Sequence, residues 1–322
     1  MFARLSALYQ TALAFAAPSA GSKGSNLRGV VLMLLGMACF VTGDATMKYM
    51  SAYMPTGQTM FIRGIIATFI VGLIMIANGM IWRIGRFMSG LLALRTLSDV
   101  GGALFFQNGL ARMPFAEAGA ILQINPLMVT AGAALFLGEK VGWRRWTATA
   151  IGLLGVLLII RPGGSTFQWA SLLMLGASVC SSSRDLLTRS IHGGVPALIM
   201  AATSIMAVTL VSLTFLPFET WRQATWGDVG ILAIPAVFSL AGQIFVVASI
   251  RSVDVSAVVP FRYSAILWNI LLGYLIWRQF PDNTTFVGIF IVCGAGLYTF
   301  YREQQLRRQA RLAAAKAAGD DA

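Results

Sequence analysis

From Arg28 onward the chain is a succession of apolar runs broken by short polar links. A membrane-crossing helix needs about 20 mostly apolar residues. Ten stretches meet that description: 28–50, 56–78, 87–111, 115–137, 144–161, 168–190, 196–216, 226–250, 254–277 and 284–302. The third and eighth are the least cleanly apolar. The links "SAYMP", "ARMPF", "GEKVGWRR", "RPGGST", "HGGVP" and "RQFPDN" carry the Gly, Pro and charge punctuation that ends helices. The pattern predicts an all-α integral membrane protein of ten transmembrane helices.

Polar residues inside those runs mark a repeat. Residues 43–48 read "GDATMK" and residues 183–189 read "SRDLLTR". Asp44, Lys48 and Pro55 recur as Asp185, Arg189 and Pro196, each 141 positions later. Five spans separate the copies. Five is odd, so the second copy enters the membrane from the opposite side, and the two five-helix halves, 28–161 and 168–302, are expected to be inverted repeats. Asp44 lies roughly 24 Å into the first helix at 1.5 Å per residue. It should sit near one mouth, with Asp185 near the other.

Composition supports the membrane reading. Only 11% of the 322 residues are charged, against roughly 25% in soluble domains, so no aqueous surface could be built. The formal net charge of +12 raises nucleic acid as a partner, yet no basic cluster interleaved with aromatics occurs in the body of the chain. Charge placement explains the excess better. With the N-terminus inside, the outer links hold only Arg112, Arg161, Arg222 and Arg278, and the inner segments hold most of the rest. Lys and Arg concentrate on the cytoplasmic side, so both termini are expected there. Residues 1–27 read as a cytoplasmic tail and linker rather than a signal peptide, because Gln10 and Thr11 interrupt the apolar part. Residues 303–322 read as a basic cytoplasmic tail. Cys39, Cys180 and Cys293 are scattered through the spans, which argues against disulfides or a metal site.

The stretches "GDATMKYMSAYMPTGQTMFIRG", "NGLARMPFAEAGAILQINPLMVTAGAALFLGEKVGWRRWTATAIGLLGVLLIIRPG" and "DVSAVVPFRYSAILWNILLGYLIWRQFPD" together resemble the EamA-type branch of the drug/metabolite transporter superfamily. The resemblance covers about 28–302, as two tandem EamA-like halves. It implies secondary transport of a small metabolite across the cell inner membrane, and its cofactor-like candidates are a flavin or S-adenosylmethionine. One departure is visible: Gly138-Glu139 ends a helix of the first half where the second has Arg278-Gln279.

Ionisable groups in hydrocarbon are costly and usually face a cavity or a partner. Arg95 and Asp99 share one helix face at a spacing of four, as a structural pair or as part of a cavity. Pro126 falls near mid-membrane and removes a backbone donor. Gln123 and Asn125 beside it could bond a substrate or patch the kink. Pro260 precedes Arg262, a planar fork suited to carboxylate or phosphate, or else a side chain that snorkels to the edge. Tyr263 and Trp268 offer stacking surface. These seven, Arg95, Asp99, Gln123, Asn125, Arg262, Tyr263 and Trp268, are the candidate substrate contacts. Asp44, Lys48, Arg63, Glu117, Asp185 and Arg189 are the gating or coupling candidates. Arg63 could pair with Asp44, Glu117 suits the positive start of a helix, and Lys48 and Arg189 could simply snorkel.

No metal-spaced cluster, nucleophile with a His partner or phosphate loop occurs, so neither an enzyme nor a primary pump is expected, and no cofactor. The expected partners are a small-molecule substrate and the lipid bilayer, with a homodimer open. The rival reading is a non-transporting membrane sensor or assembly scaffold.

Overall fold

The computed structural model describes residues 23–139, 142–162, 168–191, 195–252 and 258–320. Ten helices follow one another: α1 (Lys23–Met50), α2 (Thr56–Ala77), α3 (Gly90–Arg112), α4 (Phe115–Phe136, interrupted at Gln123 and Ile124), α5 (Trp143–Ile160), α6 (Ala170–Ser190), α7 (Ala197–Ser212), α8 (Trp226–Ser252), α9 (Ser264–Trp277) and α10 (Asn283–Asp320). No strand occurs among the described residues. Pro55, Pro114 and Pro196 precede α2, α4 and α7 at the N-cap. Their missing N–H costs nothing there, and their fixed φ suits a chain entering a helix. The recurrence of Pro55 as Pro196 is thus a shared helix start.

Several boundaries depart from the sequence pattern. Helix α1 begins at Lys23, so the part of the linker that is described is helical. Residues 81–87 form a 3-10 turn and one helical turn, and α3 starts only at Gly90, where Ser89 Oγ accepts from the Leu92 amide at 3.2 Å. The ninth run is a five-residue 3-10 turn, Val259–Tyr263, followed by a helix of 14 residues. Helix α10 continues past residue 302 to Asp320. Residues 1–22 of the expected tail lie outside the described residues.

Seven helices are long and apolar enough to cross a membrane; α3, α6 and α9 fall outside that set. Helix α9 is short. The other two are too polar: α3 holds Arg95, Asp99, Gln107 and Asn108, and α6 holds three serines followed by Arg184 and Asp185. These two helices pack along each other, so their polar faces meet inside the bundle. Large apolar side chains such as Phe69, Leu158 and Phe290 are left on the outside, where lipid is the compatible solvent. The chain is an integral multi-pass membrane protein.

Most of the main contacts follow a rule. α1 lies on α8 and α3 on α6; α2 packs on α8 and α3 on α7; α1 meets α9 and α4 meets α6; α2 packs on α7, α4 on α9 and α5 on α10. Exchanging each helix for the one five places on maps these nine pairings onto themselves; α4 also packs on α5 and α10, where the exchanged pairs do not pack to the same extent among the described residues. Glycine permits the closest crossings. A Cβ on Gly36 would meet the Gly242 carbonyl oxygen at 3.2 Å, and one on Gly288 would meet that of Gly155 at 2.7 Å. Small residues let backbones approach where burial against lipid supplies no drive.

The fourth helix of each half ends alike. Gly138 and Arg278 both adopt left-handed φ, 66° and 56°. The amide of the next residue, Glu139 or Gln279, bonds the carbonyl six back, Ala133 or Gly273, at 3.2 Å. Gly takes this conformation freely. Arg278 does not, and its guanidinium lies 5.3 Å over the Tyr274 ring, a contact that partly offsets the strain.

Candidate functional site

The densest interior charge lies where α3, α6 and α7 meet. Arg95 and Asp99, one helical turn apart, pair at 3.6 Å. Gly101 and Gly102 let α6 come close: a Cβ on Gly101 would sit 3.2 Å from Cys180 Sγ. That approach brings Arg184 Nη1 within 3.0 Å of Asp99 Oδ1, while Nη2 pairs with Asp185 Oδ1 at 2.9 Å. Arg95 also donates to Thr188 Oγ1 at 3.3 Å, to the Met200 carbonyl at 3.0 Å and to Ser204 Oγ at 2.5 Å. Two arginines and two aspartates therefore form a neutral network across three helices. Buried charge is tolerable in that form because each ion is paired and hydrogen-bonded. Arg184 was not among the sequence candidates. The repeated motif places its base four residues after each aspartate, whereas Arg184 is adjacent to Asp185.

The equivalent position in the first half is built differently. Asp44 on α1 and Arg63 on α2 are half-buried, and each feels the other's charge. They do not come within ion-pairing distance, and neither side chain has a hydrogen-bond partner among the described residues. Of the two roles the sequence left open for Arg63, lining a cavity or pairing with Asp44, the direct pair is therefore not formed.

Lys48 does not snorkel. Its Nζ donates to the carbonyls of Leu110 and Met113, at 2.8 and 2.7 Å, and lies 5.6 Å over the Trp277 ring. It thus caps the orphan carbonyls at the end of α3, where a cation suits the helix dipole. Arg189 reaches Glu139 at 3.8 Å instead of ending free. Neither base pairs with the aspartate of its own motif.

Glu117 occupies the first turn of α4, as expected, within electrostatic reach of Arg161 and Asp282. The latter two are ion-paired between the end of α5 and the start of α10. Asp282 accepts from the Thr285 amide at 3.0 Å. The Arg161 bond, helped by Thr285, holds its carboxyl well below the usual range. On the same side, Glu219 accepts from the Gly57 amide at 2.9 Å and Gln58 Nε2 donates to the Arg222 carbonyl at 2.5 Å, tying the α7–α8 link to the start of α2.

The fourth helix of each half is irregular. In α4 the break falls at Gln123 and Ile124, whose amides tighten onto carbonyls three residues back, and Pro126 follows as the second residue of the new segment. Asn125 Oδ1 is buried without a partner. In the second half Pro260 opens the 3-10 turn before α9. Arg262 on that turn is exposed and makes no ion pair among the described residues. Tyr263 turns its hydroxyl against Gly296 of α10, buried and unpartnered, and Trp268 packs against apolar core. Tyr263 and Trp268 are thus held by packing, apart from the Arg95–Asp99 network. No group of three His, Cys, Asp or Glu able to hold a metal is found among the described residues.

Two stretches, 27–161 and 168–301, match the EamA-like transporter family. They bracket α1–α5 and the run from α6 into α10. The chain belongs to that family. It is 26% identical to a pseudopaline exporter of Pseudomonas aeruginosa over 81% of its own length and 91% of that protein's. It is 29% identical to a riboflavin transporter of Vibrio cholerae, over 62% and 68%, and 22% identical to an S-adenosylmethionine uptake transporter of Rickettsia prowazekii, over 87% and 94%. A solved crystal structure covers 89% of this EamA chain with a TM-score of 0.53 at 18% identity, a likeness of fold.

Proposed function

We propose that this EamA protein is a secondary transporter moving a small organic metabolite across the cytoplasmic membrane by alternating access. Its ten helices act as ten spans in two inverted repeats, with both termini cytoplasmic. The exchange symmetry of the helix contacts and the irregular fourth helix of each half support this. Broken helices at depth are where transporters hold substrate, so Gln123, Asn125, Arg262 and the Arg95–Asp99 region line the path in this reading, with Tyr263 and Trp268 as its supporting wall. If transport is proton-driven, Asp44, Asp99 and Glu117 are the interior carboxylates available to couple it.

One observation carries the reading. The charge network of α3 and α6 is closed, at the end of the bundle assigned to the cytoplasm. Its repeat-related counterpart, Asp44 and Arg63, stands apart at the other end. Alternating access needs contacts made in one state and broken in the other, and this asymmetry is what one such state would display. The relatives' names supply the first substrates to try. The test is flux into proteoliposomes of labelled riboflavin, S-adenosylmethionine and pseudopaline. Saturable flux of at least one is expected. No flux of any of them would favour the sensor or scaffold reading.

A further inference from the structure

Helix α10 is the longest described helix, with 38 residues, roughly 57 Å at 1.5 Å per residue. The hydrocarbon core it crosses is about 30 Å thick, so a large part of it lies outside. Its register against α5 shows which end. The two helices run antiparallel: Arg161 pairs with Asp282, a Cβ on Gly288 would meet the Gly155 carbonyl, and Arg145 pairs with Glu303 at 3.2 Å. Helix α5 begins just before Arg145, at Trp143, so no part of it lies opposite α10 beyond Gln305. The rest of α10, as far as Asp320, projects past its partner by roughly 22 Å. That extension holds Arg307, Arg308, Arg311 and Lys316 against Asp320.

A belt of aromatic side chains marks where the extension leaves the apolar layer. Trp143 and Trp146 of α5 and Tyr298 and Tyr301 of α10 are all exposed, and the register sets Trp146 level with Tyr301. Trp and Tyr in such positions sit at the headgroup layer. Toward mid-membrane from them, Leu154 and Phe290 are exposed and meet acyl chains. At the level of the belt, the exposed Arg144 lies 5.5 Å over the Trp143 ring. Its guanidinium makes no ion pair or hydrogen bond among the described residues. Arginines at the other end of the bundle are engaged within the protein: Arg161 with Asp282, Arg222 with Asp228 and Arg112 with Asn108. Stacking orders the Arg144 fork and leaves its N–H donors unspent.

We infer that the paired ends of α5 and α10 form a docking surface for anionic phospholipid. Arg144 takes a lipid phosphate on its planar fork. The bases of the α10 extension hold further headgroups of the same leaflet, and the apolar flank beneath the aromatic belt takes the acyl chains. This two-part surface selects its occupant. A nucleic acid or an acidic protein would satisfy the bases but has nothing to place on Leu154 and Phe290 beneath them. A zwitterionic lipid would cover the apolar flank and bring no net charge to the bases. Each base close to an anionic membrane surface strengthens attachment about fivefold. Arg145–Glu303 and Arg161–Asp282 tie α5 to α10 at both ends, so lipid held there holds the pair as one unit. The inference needs only a chain embedded in a bilayer and stands apart from the transport reading.

The test is thermal stabilisation of the purified full chain in detergent, with apparent affinity read from the concentration dependence of the shift. The probes are dioleoyl phosphatidylglycerol, dioleoyl phosphatidylcholine with the same chains and no net charge, and glycerol 3-phosphate with no chains. Phosphatidylglycerol should raise the melting temperature more than either. Its advantage over phosphatidylcholine should shrink as salt rises, because the charges are exposed. Arg144→Gln should weaken phosphatidylglycerol about fivefold, and Arg307→Gln, Arg308→Gln and Arg311→Gln together about a hundredfold. Arg144→Lys keeps the charge without the fork and should retain part of the affinity. Arg112→Gln, at the other end of the bundle, should leave it unchanged. Melting temperatures in phosphatidylcholine report whether each variant is folded, and the salt dependence of the wild type needs no variant. Equal stabilisation by the two lipids, affinity unchanged when all four arginines are substituted, or an equal loss in Arg112→Gln would overturn the surface. So would equal stabilisation by glycerol 3-phosphate, which would leave a free-anion site, or displacement of phosphatidylglycerol by a short DNA duplex, which would assign the bases to nucleic acid.

Discussion

Asp99→Asn tests the network directly. Asp99 neutralises two arginines, at 3.6 Å to Arg95 and 3.0 Å to Arg184. The substitution leaves two guanidiniums sharing Asp185. Removing one partner of a fully buried pair costs about 3–5 kcal/mol. Two features reduce that here. The side chains are 22% and 32% exposed at Asp99 and Arg184, so solvent screens part of the loss. Arg95 also retains Thr188, Met200 and Ser204, and Arg184 retains Asp185. About 2 kcal/mol is left. If the network closes only one state, that cost falls on that state alone. It then shifts the balance toward the opposite-facing form about thirtyfold, at 1.36 kcal/mol per tenfold. The assay uses one cysteine at Gln123 in a background lacking Cys39, Cys180 and Cys293, with a membrane-impermeant thiol reagent added outside. Labelling should fall in Asp99→Asn and in Asp185→Asn, and rise in Asp44→Asn. Arg184→Gln added to Asp99→Asn removes the excess charge and should recover part of the thermal stability. Lower stability with unchanged labelling would refute the reasoning: the network would then hold the bundle together in every state.

Three further outcomes are expected. Gly288→Val should lower the melting temperature by an overpacking cost of about 1–3 kcal/mol, because its Cβ would press on the Gly155 carbonyl and Ile159; Gly294→Ala, with open space around its Cβ, should not. Asp282, held below its ordinary value of 3.8 chiefly by Arg161, stabilises the fold in full above that value and loses its contribution as the pH falls further through the depressed one. The melting-temperature gap between wild type and Asp282→Asn should therefore be constant near neutral pH and narrow below about pH 4. Arg262→Ala should fold and insert with stability within about 0.5 kcal/mol, since Arg262 is exposed, yet lose flux in vesicles, and Arg262→Lys should rescue it poorly for want of the planar fork; full flux in both would assign Arg262 to snorkelling.

The helices and their order were legible in the sequence because apolar length and Pro or Gly punctuation are local signals. So was the duplication, since Asp44, Lys48 and Pro55 recur at one offset. The Arg95–Asp99 contact was legible too, as a spacing of four is a property of one helix. What each charge meets on another helix was not. Arg184 turns to Asp99 because glycines on α3 admit α6, Lys48 finds the end of α3 because α1 stops beside it, and Arg189 meets Glu139. The Tyr263 hydroxyl lies against Gly296 of α10, a neighbour that no pattern within its own turn announces. A side chain's partner across an interface depends on how two helices cross and rotate, and no residue pattern within either helix encodes that. The identity of the chain as a helical membrane protein is thus written along its length, while the partition of its charges into a closed network at one end and an open pair at the other exists only in the packed bundle.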